Sequence, residues 1–266
     1  MSYAKVLRGA FPTLEPRVND LFLLEAHQIA ELPGRAPARA FAAVLHAQPQ
    51  LRYFLVARHQ LLAGYIDGLL ATHPPIEGSD LAAAEQELLW EIADWITYQR
   101  APELYDAQPI HDWDNNAIDE VAPVAGQIVI DAGAGTGRVA FEALRTARYV
   151  FAVEPVARLR QFMRQKATQL GVANLFVLDG TLSAIPLPDH SADVLTTCRA
   201  IGWRLEDELT EIERIVKPGG VAVHLTGIRT QAHPSDPLHG GLTEAGYTAD
   251  SYREGAKTRR RYWKHI

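Results

Sequence analysis

The sequence predicts an α/β protein: a doubly wound, mostly parallel sheet in the second half of the chain, preceded by a region built of helices. Three observations predict it. After Gly126, short β-branched or apolar runs alternate with helical patterns. The first of those runs ends in a glycine-rich turn that opens a helix. Before about residue 120, apolar residues recur at helical spacing instead. We therefore divide the chain into a helical cap, 1–120, and a sheet-based core, 121–266.

In the cap, Leu21–Leu32 and Ala38–Thr72 read as helical, with Pro33-Gly34 and Pro74-Pro75 as punctuation and Pro49 as a break or kink. Farther on, Leu81, Ala84, Leu88, Leu89, Ile92, Trp95 and Ile96 share one helical face, while Glu85, Glu87, Glu91 and Asp94 fall mostly elsewhere. No internal repeat is evident. In the core, strands are expected at Gln127–Asp131, Tyr149–Val153, Leu175–Leu178, Ala192–Thr197 and Gly220–Leu225. Helices are expected at Arg138–Arg145, Val156–Leu170 and Glu206–Val216, and two further strands near Thr248–Arg253 and Arg259–His265 bring the sheet to seven.

Composition narrows the function classes. Hydrophobic residues make up 47% and charged residues 22% of the 266, the proportions of a globular protein. A net charge of −6 gives no global positive field to hold a polyanion, which argues against nucleic acid and leaves small neutral or cationic partners. Cys198 is the only cysteine, so no intramolecular disulfide forms, in keeping with a reducing compartment. The start Met1-Ser2-Tyr3-Ala4-Lys5-Val6-Leu7-Arg8 has no uninterrupted apolar run of the secretory kind, and no stretch approaches the length of a membrane-spanning helix. The expected location is the cytoplasm.

The most informative stretch is Ile128-Val129-Ile130-Asp131-Ala132-Gly133-Ala134-Gly135-Thr136-Gly137-Arg138-Val139. A buried strand runs into alternating glycines and then into an amphipathic helix. Gly133 and Gly135 permit backbone angles closed to other residues and let a ligand approach the main chain, while the helix start offers unpaired amides. That geometry suits a nucleoside-bearing cofactor. The spacing Gly-x-Gly-x-Gly differs from the dinucleotide fingerprint Gly-x-Gly-x-x-Gly, and no Lys-Ser/Thr pair follows to make a phosphate loop. Asp131 adds a carboxylate at the strand tip, where an ammonium group could sit.

Val129–Arg138 resembles the first motif of the class I S-adenosylmethionine-dependent methyltransferases, and the resemblance extends over about Gln127 to Thr226. Among their branches the pattern is most similar to the small-molecule group that includes the ubiquinone and menaquinone biosynthesis methyltransferases. The resemblance implies a Rossmann-like sheet and S-adenosyl-L-methionine as cofactor. It implies that Asp131 and the backbone of Gly133, Ala134, Gly135 and Gly137 hold the methionyl portion. Glu154, in Phe151-Ala152-Val153-Glu154-Pro155, would accept hydrogen bonds from both ribose hydroxyls. Asp179, in Val177-Leu178-Asp179-Gly180-Thr181, would meet the adenine amino group while Gly180 and Thr181 read the ring edge. Pro155 and Cys198 complete the implied cofactor set. Taken alone, Glu154 also fits a helix start and Asp179-Gly180 a plain turn. Acids at three successive strand tips favour one shared ligand.

Leu187-Pro188-Asp189-His190-Ser191-Ala192-Asp193-Val194-Leu195 and Ile215-Val216-Lys217-Pro218-Gly219-Gly220 resemble the family's approaches to strands four and five. The segment Cys198-Arg199-Ala200-Ile201-Gly202-Trp203 departs from the more hydrophobic or aromatic residues usual there. The expected function is methyl transfer to a small-molecule acceptor by in-line displacement. Such a reaction depends on alignment and desolvation and needs no obligatory metal or covalent nucleophile. Arg199 and Trp203, at the carboxyl edge of the sheet, and Tyr105 and Trp113, before the glycine loop, are the candidates for acceptor contacts, and each also fits an ordinary packing or surface role. Tyr98 fits core packing better.

Two other functions compete: a non-catalytic S-adenosylmethionine-binding protein, and a nicotinamide-dependent oxidoreductase, which the glycine spacing disfavours. His111 with Asp112 and Asp114, and His233 with Asp236 and His239, lie in loops without a recognised ligand spacing, so no metal is expected. The basic run Arg259-Arg260-Arg261, with Lys257 and Lys264, reads as a solvated edge strand.

Overall fold

In the computed structural model, residues 3–108, 116–226, 236–254 and 257–266 are described. The chain forms two compact units, 1–108 and 109–266.

The first unit is helical: α1 (Tyr3–Ala10), α2 (Ala26–Ala30), α3 (Leu32–Arg35), α4 (Ala38–Ala47), α5 (Pro49–Arg58), α6 (Leu62–Thr72), α7 (Gly78–Glu91), α8 (Ala93–Arg100) and α9 (Pro102–Asp106), with a 3-10 turn at Val18–Leu23. Pro49 does break the long stretch, and it sits at the first position of α5, where its missing N–H costs nothing. A second break, at His59–Leu61, has neither proline nor glycine to announce it. The expected apolar face is shared by α7 and α8: Ala84, Leu88, Leu89, Ile92, Trp95 and Ile96 are all buried with Phe41, Val44 and Ile66. Inside this unit Arg35 donates to Asp94 at 2.7 Å, and the Tyr3 hydroxyl donates to the same carboxylate at 2.9 Å.

The second unit begins with the short helix α10 (Asn116–Asp119). Its strands and helices then follow as β1 (Ile128–Ala132), α11 (Arg138–Ala143), β2 (Tyr149–Val153), α12 (Ala157–Leu170), β3 (Leu175–Leu178), β4 (Ala192–Cys198), α13 (Leu205–Ile215), β5 (Val216–Thr226), α14 (Pro237–Glu244), β6 (Thr248–Glu254) and β7 (Lys257–His265). Among the described residues seven strands make one sheet in the order β3-β2-β1-β4-β5-β7-β6. β1 to β5 pair in parallel and β7 runs antiparallel to both β5 and β6. This is the doubly wound, Rossmann-like architecture expected from the sequence.

Alternation along each strand sends side chains to two cores. Val129, Val194, Val221 and Val223 pack with Val139, Ala140 and Met163 of α11 and α12. Ile130, Leu195 and Ala222 pack with Ile212 and Ile215 of α13 and Leu242 of α14. Burial on both faces is why these strands read as continuous apolar runs. The chain leaves β1 toward β2 and β3, then crosses back to β4, so the strand order reverses between β1 and β4. Ligands of open α/β sheets bind outside the carboxyl ends of the strands at such a point.

Two expectations fail here. The basic run is not a solvated edge: β7 lies between β5 and β6, and Arg260 and Arg261 are only 5% and 3% exposed. Burial of these cations is compensated by pairing, Arg260 with Asp236 at 3.0 Å and Arg261 with Asp250 at 2.5 Å and Glu120 at 2.8 Å. Helix α14 is also unanticipated, because Gly240 and Gly241 weaken the local helical signal. Gly241 is there for packing, since a Cβ at that position would overlap the Leu205 side chain of α13.

Candidate functional site

The carboxyl end of β1 and the turn after it form the centre of the site. Gly133, Gly135 and Gly137 all have positive φ, at 74°, 58° and 85°. For two of them the side-chain space is also closed: a Cβ on Gly133 would overlap Ala200 Cβ, and one on Gly137 would lie 2.9 Å from Phe141 and 3.0 Å from Met163. The N–H groups of Gly133 and Ala134 both donate to Val153 O, at 2.8 and 3.1 Å, tying the loop to the end of β2. Gly137 serves as the N-cap of α11.

Two buried carboxylates frame this loop. Asp131 is 1% exposed; its Oδ2 accepts from Ala140 N–H of α11 at 3.0 Å, while its Oδ1 is buried without a hydrogen-bond partner. Burial pushes the Asp131 carboxyl up to about 7, the Ala140 N–H works against this, and the nearby charge of Glu154 adds to it. Glu154, 5% exposed at the tip of β2, accepts from Gly135 N–H at 2.8 Å through Oε2 and from Val156 N–H at 2.9 Å through Oε1. The β2 carboxylate therefore reaches across and grips the glycine loop of β1. Thr136 Oγ1, fully buried in the same loop, has no hydrogen-bond partner.

At the tip of β3, Asp179 is exposed and pairs with Arg160 at 2.9 Å. Arg160 also donates to the carbonyls of Glu154 at 2.8 Å and Pro155 at 2.6 Å, so one guanidinium braces the second and third strand tips. Gly180 is enclosed, since a Cβ there would lie 2.9 Å from Ala184 O and from Pro186. Thr181 Oγ1 lies 3.2 Å from Ser183 Oγ in the tight turn that follows. Asp131, the glycine loop, Glu154, Pro155, Asp179, Gly180 and Thr181 thus all stand at the carboxyl ends of β1, β2 and β3.

Cys198 closes β4, half-buried, and Arg199 follows in the left-handed region at φ 62°, its N–H bonded to Leu225 O at 2.8 Å. Next to it, the carboxylate of Glu208 accepts from the N–H groups of Gly202, Trp203 and Arg204 at 2.7, 3.2 and 3.1 Å. This fixes the turn into α13 and leaves Trp203 59% exposed, at the carboxyl edge of the sheet. Tyr105 lies in the helical unit, edge-on to Tyr98 with ring centroids 4.7 Å apart and packed against that unit's own core. Trp113 lies outside the described residues.

Arg160 and Glu208 escaped sequence reading. Each is one of many charged residues on an amphipathic helix, and only the fold reveals that its partners are backbone groups of the loops. His224 escaped as well: fully buried in β5, it contacts Thr197 Oγ1 through Nδ1 at 2.9 Å, and burial pulls its imidazole down to about 3. Among the described residues no group of three or more His, Cys, Asp or Glu side chains is placed to hold a metal. Nor, among them, is any helix long and apolar enough to cross a membrane.

The atoms around the loop fit S-adenosylmethionine on structural grounds. Asp131 Oδ1 is an acceptor awaiting a donor, the glycine turn is a cradle that side chains would fill, and Glu154 supplies acceptor oxygens at the second strand tip. Comparison with known proteins agrees. The methyltransferase-domain family matches residues 130–224. The chain is 33% identical over 107 residues to an uncharacterized methyltransferase of Mycobacterium tuberculosis, covering 39% of this chain and 41% of that one. It is 34% identical over 110 residues to a ubiquinone/menaquinone biosynthesis C-methyltransferase of Rubrivivax gelatinosus, covering 41% and 42%. These matches span about two fifths of the curated relatives' length. A crystal structure of a SAM-dependent methyltransferase from Aquifex aeolicus has the same fold, with a TM-score of 0.50 at 20% identity over 60% of this chain and 94% of that one. Residues 130–224 thus match a methyltransferase domain, and over this part the chain is similar to class I S-adenosylmethionine-dependent methyltransferases.

Proposed function

We propose that this protein transfers a methyl group from S-adenosylmethionine to a small-molecule acceptor. The observation that carries the reading is the frame of buried Asp131 and Glu154 around a positive-φ glycine loop, at the point where the strand order reverses. When bound, the cofactor supplies an activated methyl group on a sulfonium, so the protein's task is to hold, align and desolvate. Asp131 offers its unsatisfied oxygen to the cationic ammonium of the methionyl end. The glycine loop lets that end lie against the backbone. Glu154 takes the ribose hydroxyls; each of its oxygens accepts more than one hydrogen bond, so this is compatible with its grip on Gly135 and Val156. Asp179, freed from Arg160 or shared with it, meets the adenine amino group, with Gly180 and Thr181 beside the ring. Cys198 stays with the cofactor set, and Arg199 and Trp203 line the acceptor side.

A small acceptor is favoured by the acidic charge of the chain and by relatives named for quinone biosynthesis. Incubation with methyl-labelled S-adenosylmethionine and a fractionated metabolite extract tests the proposal. Label should appear in a small molecule, with one S-adenosylhomocysteine formed per methyl transferred. Tight cofactor binding with no transfer to any fraction would identify a non-catalytic binder instead.

A further inference from the structure

At the same sheet edge as the glycine loop stands a buried polar chain outside the residues assigned above to the cofactor. Arg260 Nη1 donates to Asp236 Oδ2 at 3.0 Å and to the Tyr262 hydroxyl oxygen at 2.8 Å. Tyr262 is fully buried, and its oxygen lies 3.1 Å from Nδ1 of half-buried His239. Asp236 also caps α14, accepting from His239 N–H at 3.4 Å. Four side chains from the first turn of α14 and from β7 are thus held in one line, ending on an imidazole.

The donor and acceptor roles along the line favour one form of that imidazole. A guanidinium only donates, so the Tyr262 oxygen accepts from Arg260, which leaves its hydroxyl proton available to His239. With that proton directed at Nδ1, Nδ1 accepts and the ring's own proton is on Nε2. Asp236 balances the charge of Arg260, so the line presents a polarised N–H donor rather than a base.

Its place in the fold is at the carboxyl edge. Arg260 pairs in register with Thr226, the last residue of β5. A Cβ on Gly202 would lie 3.0 Å from Leu238, the neighbour of His239, and Ala200, two residues before Gly202, closes over Gly133. The glycine loop, the turn after β4 and the first turn of α14 are therefore in successive contact.

Resting on the methyltransferase reading, we propose that Asp236, Arg260, Tyr262 and His239 form an acceptor-positioning relay in which His239 Nε2–H binds an anionic oxygen of the acceptor, as in a phenolate or enolate. A donor there holds the charged oxygen that makes the adjacent atom, or the oxygen itself, a nucleophile toward the methyl group. His239 touches the acceptor; the other three are positioning residues.

The test uses the full chain saturated with S-adenosylhomocysteine and 4-nitrophenolate as probe, followed by its visible absorbance, together with nitrogen-15 NMR of the imidazoles. In the wild type, His239 should be the Nε2–H tautomer and the probe should bind with its ionised form favoured. His239→Leu should weaken the probe at least ~10-fold, and Tyr262→Phe should weaken it less while mixing the two tautomers. S-adenosylhomocysteine affinity should be unchanged in both variants. Failure of S-adenosylhomocysteine to bind the wild type would strike the methyltransferase reading itself. With that binding intact, an Nδ1–H tautomer, no binding of the probe to the wild type, or equal binding by wild type and His239→Leu would overturn the relay.

Discussion

Glu154 illustrates how a side chain visible in the sequence acquires a second role in the fold. As a strand-tip acid it is expected to await a ligand with few internal contacts, yet it already holds the amides of Gly135 and Val156. Glu154→Ala should therefore weaken S-adenosylmethionine by at least ~10-fold and also cost about 1–3 kcal/mol of stability, because buried donors lose their partner. Calorimetric titration alongside denaturant unfolding measures both; an unchanged midpoint would show that the two amides find other partners. Asp131 gives a pH signature. Its folded value, about 7 against an ordinary 3.8, means that the ligand-free fold is most stable with respect to this group below 3.8 and loses that stability as pH rises toward 7. Asp131→Asn keeps an acceptor for Ala140 and removes the titration. Unfolding curves from pH 4 to 8 should then show a flatter pH dependence in the variant, and parallel curves would contradict the assignment. The charge types at the strand tips were legible in the sequence, but their hydrogen-bond partners were not, since Gly135 is 19 residues from Glu154 and meets it only through the parallel pairing of β1 and β2.

The central strands were legible because burial on both faces leaves uninterrupted apolar runs, and the edge strand β3, only half-buried, because its apolar run is bounded by turn residues: Tyr149–Val153 and Leu175–Leu178 are found at the expected limits. The last two strands were also legible, though their order was not. Nothing local tells Arg259–His265 that Thr248–Glu254 will pair outside it, and so a buried, ion-paired strand reads as a solvated edge. The glycine turn joining β1 to α11 carries a sharp expectation. Gly133→Ala combines a positive-φ conformation with an overlap on Ala200, so the loop must shift away from the turn after β4. The variant should lose cofactor affinity at least ~10-fold with a stability loss of about 1–3 kcal/mol. Gly171→Ala, also at positive φ but with open space around it, is the control and should leave affinity unchanged. Equal affinity of Gly133→Ala and wild type in folded protein would show that the loop's path is not what binds.

The two compact units divide the chemistry unequally. Every acid at a strand tip and every glycine of the loop belongs to 109–266, whereas the helical unit has its own apolar core. A fragment comprising 109–266 that retains the circular dichroism of an α/β sheet should therefore bind S-adenosylmethionine within ~10-fold of the full chain. Complete loss of binding by the folded fragment would assign part of the cofactor site to the helical unit. Sequence alone suggested a boundary near residue 120; α10, which supplies Ala117 O to Arg261 at 2.6 Å and Ile118 to the sheet's core, packs with the second unit. The most direct test of the account is titration of S-adenosylmethionine and S-adenosylhomocysteine into the full chain beside Glu154→Ala and Asp131→Asn. The wild type should bind both ligands at one site per chain, with each variant weakened at least ~10-fold. Absence of binding in the folded wild type, or equal affinity in all three proteins, would contradict it.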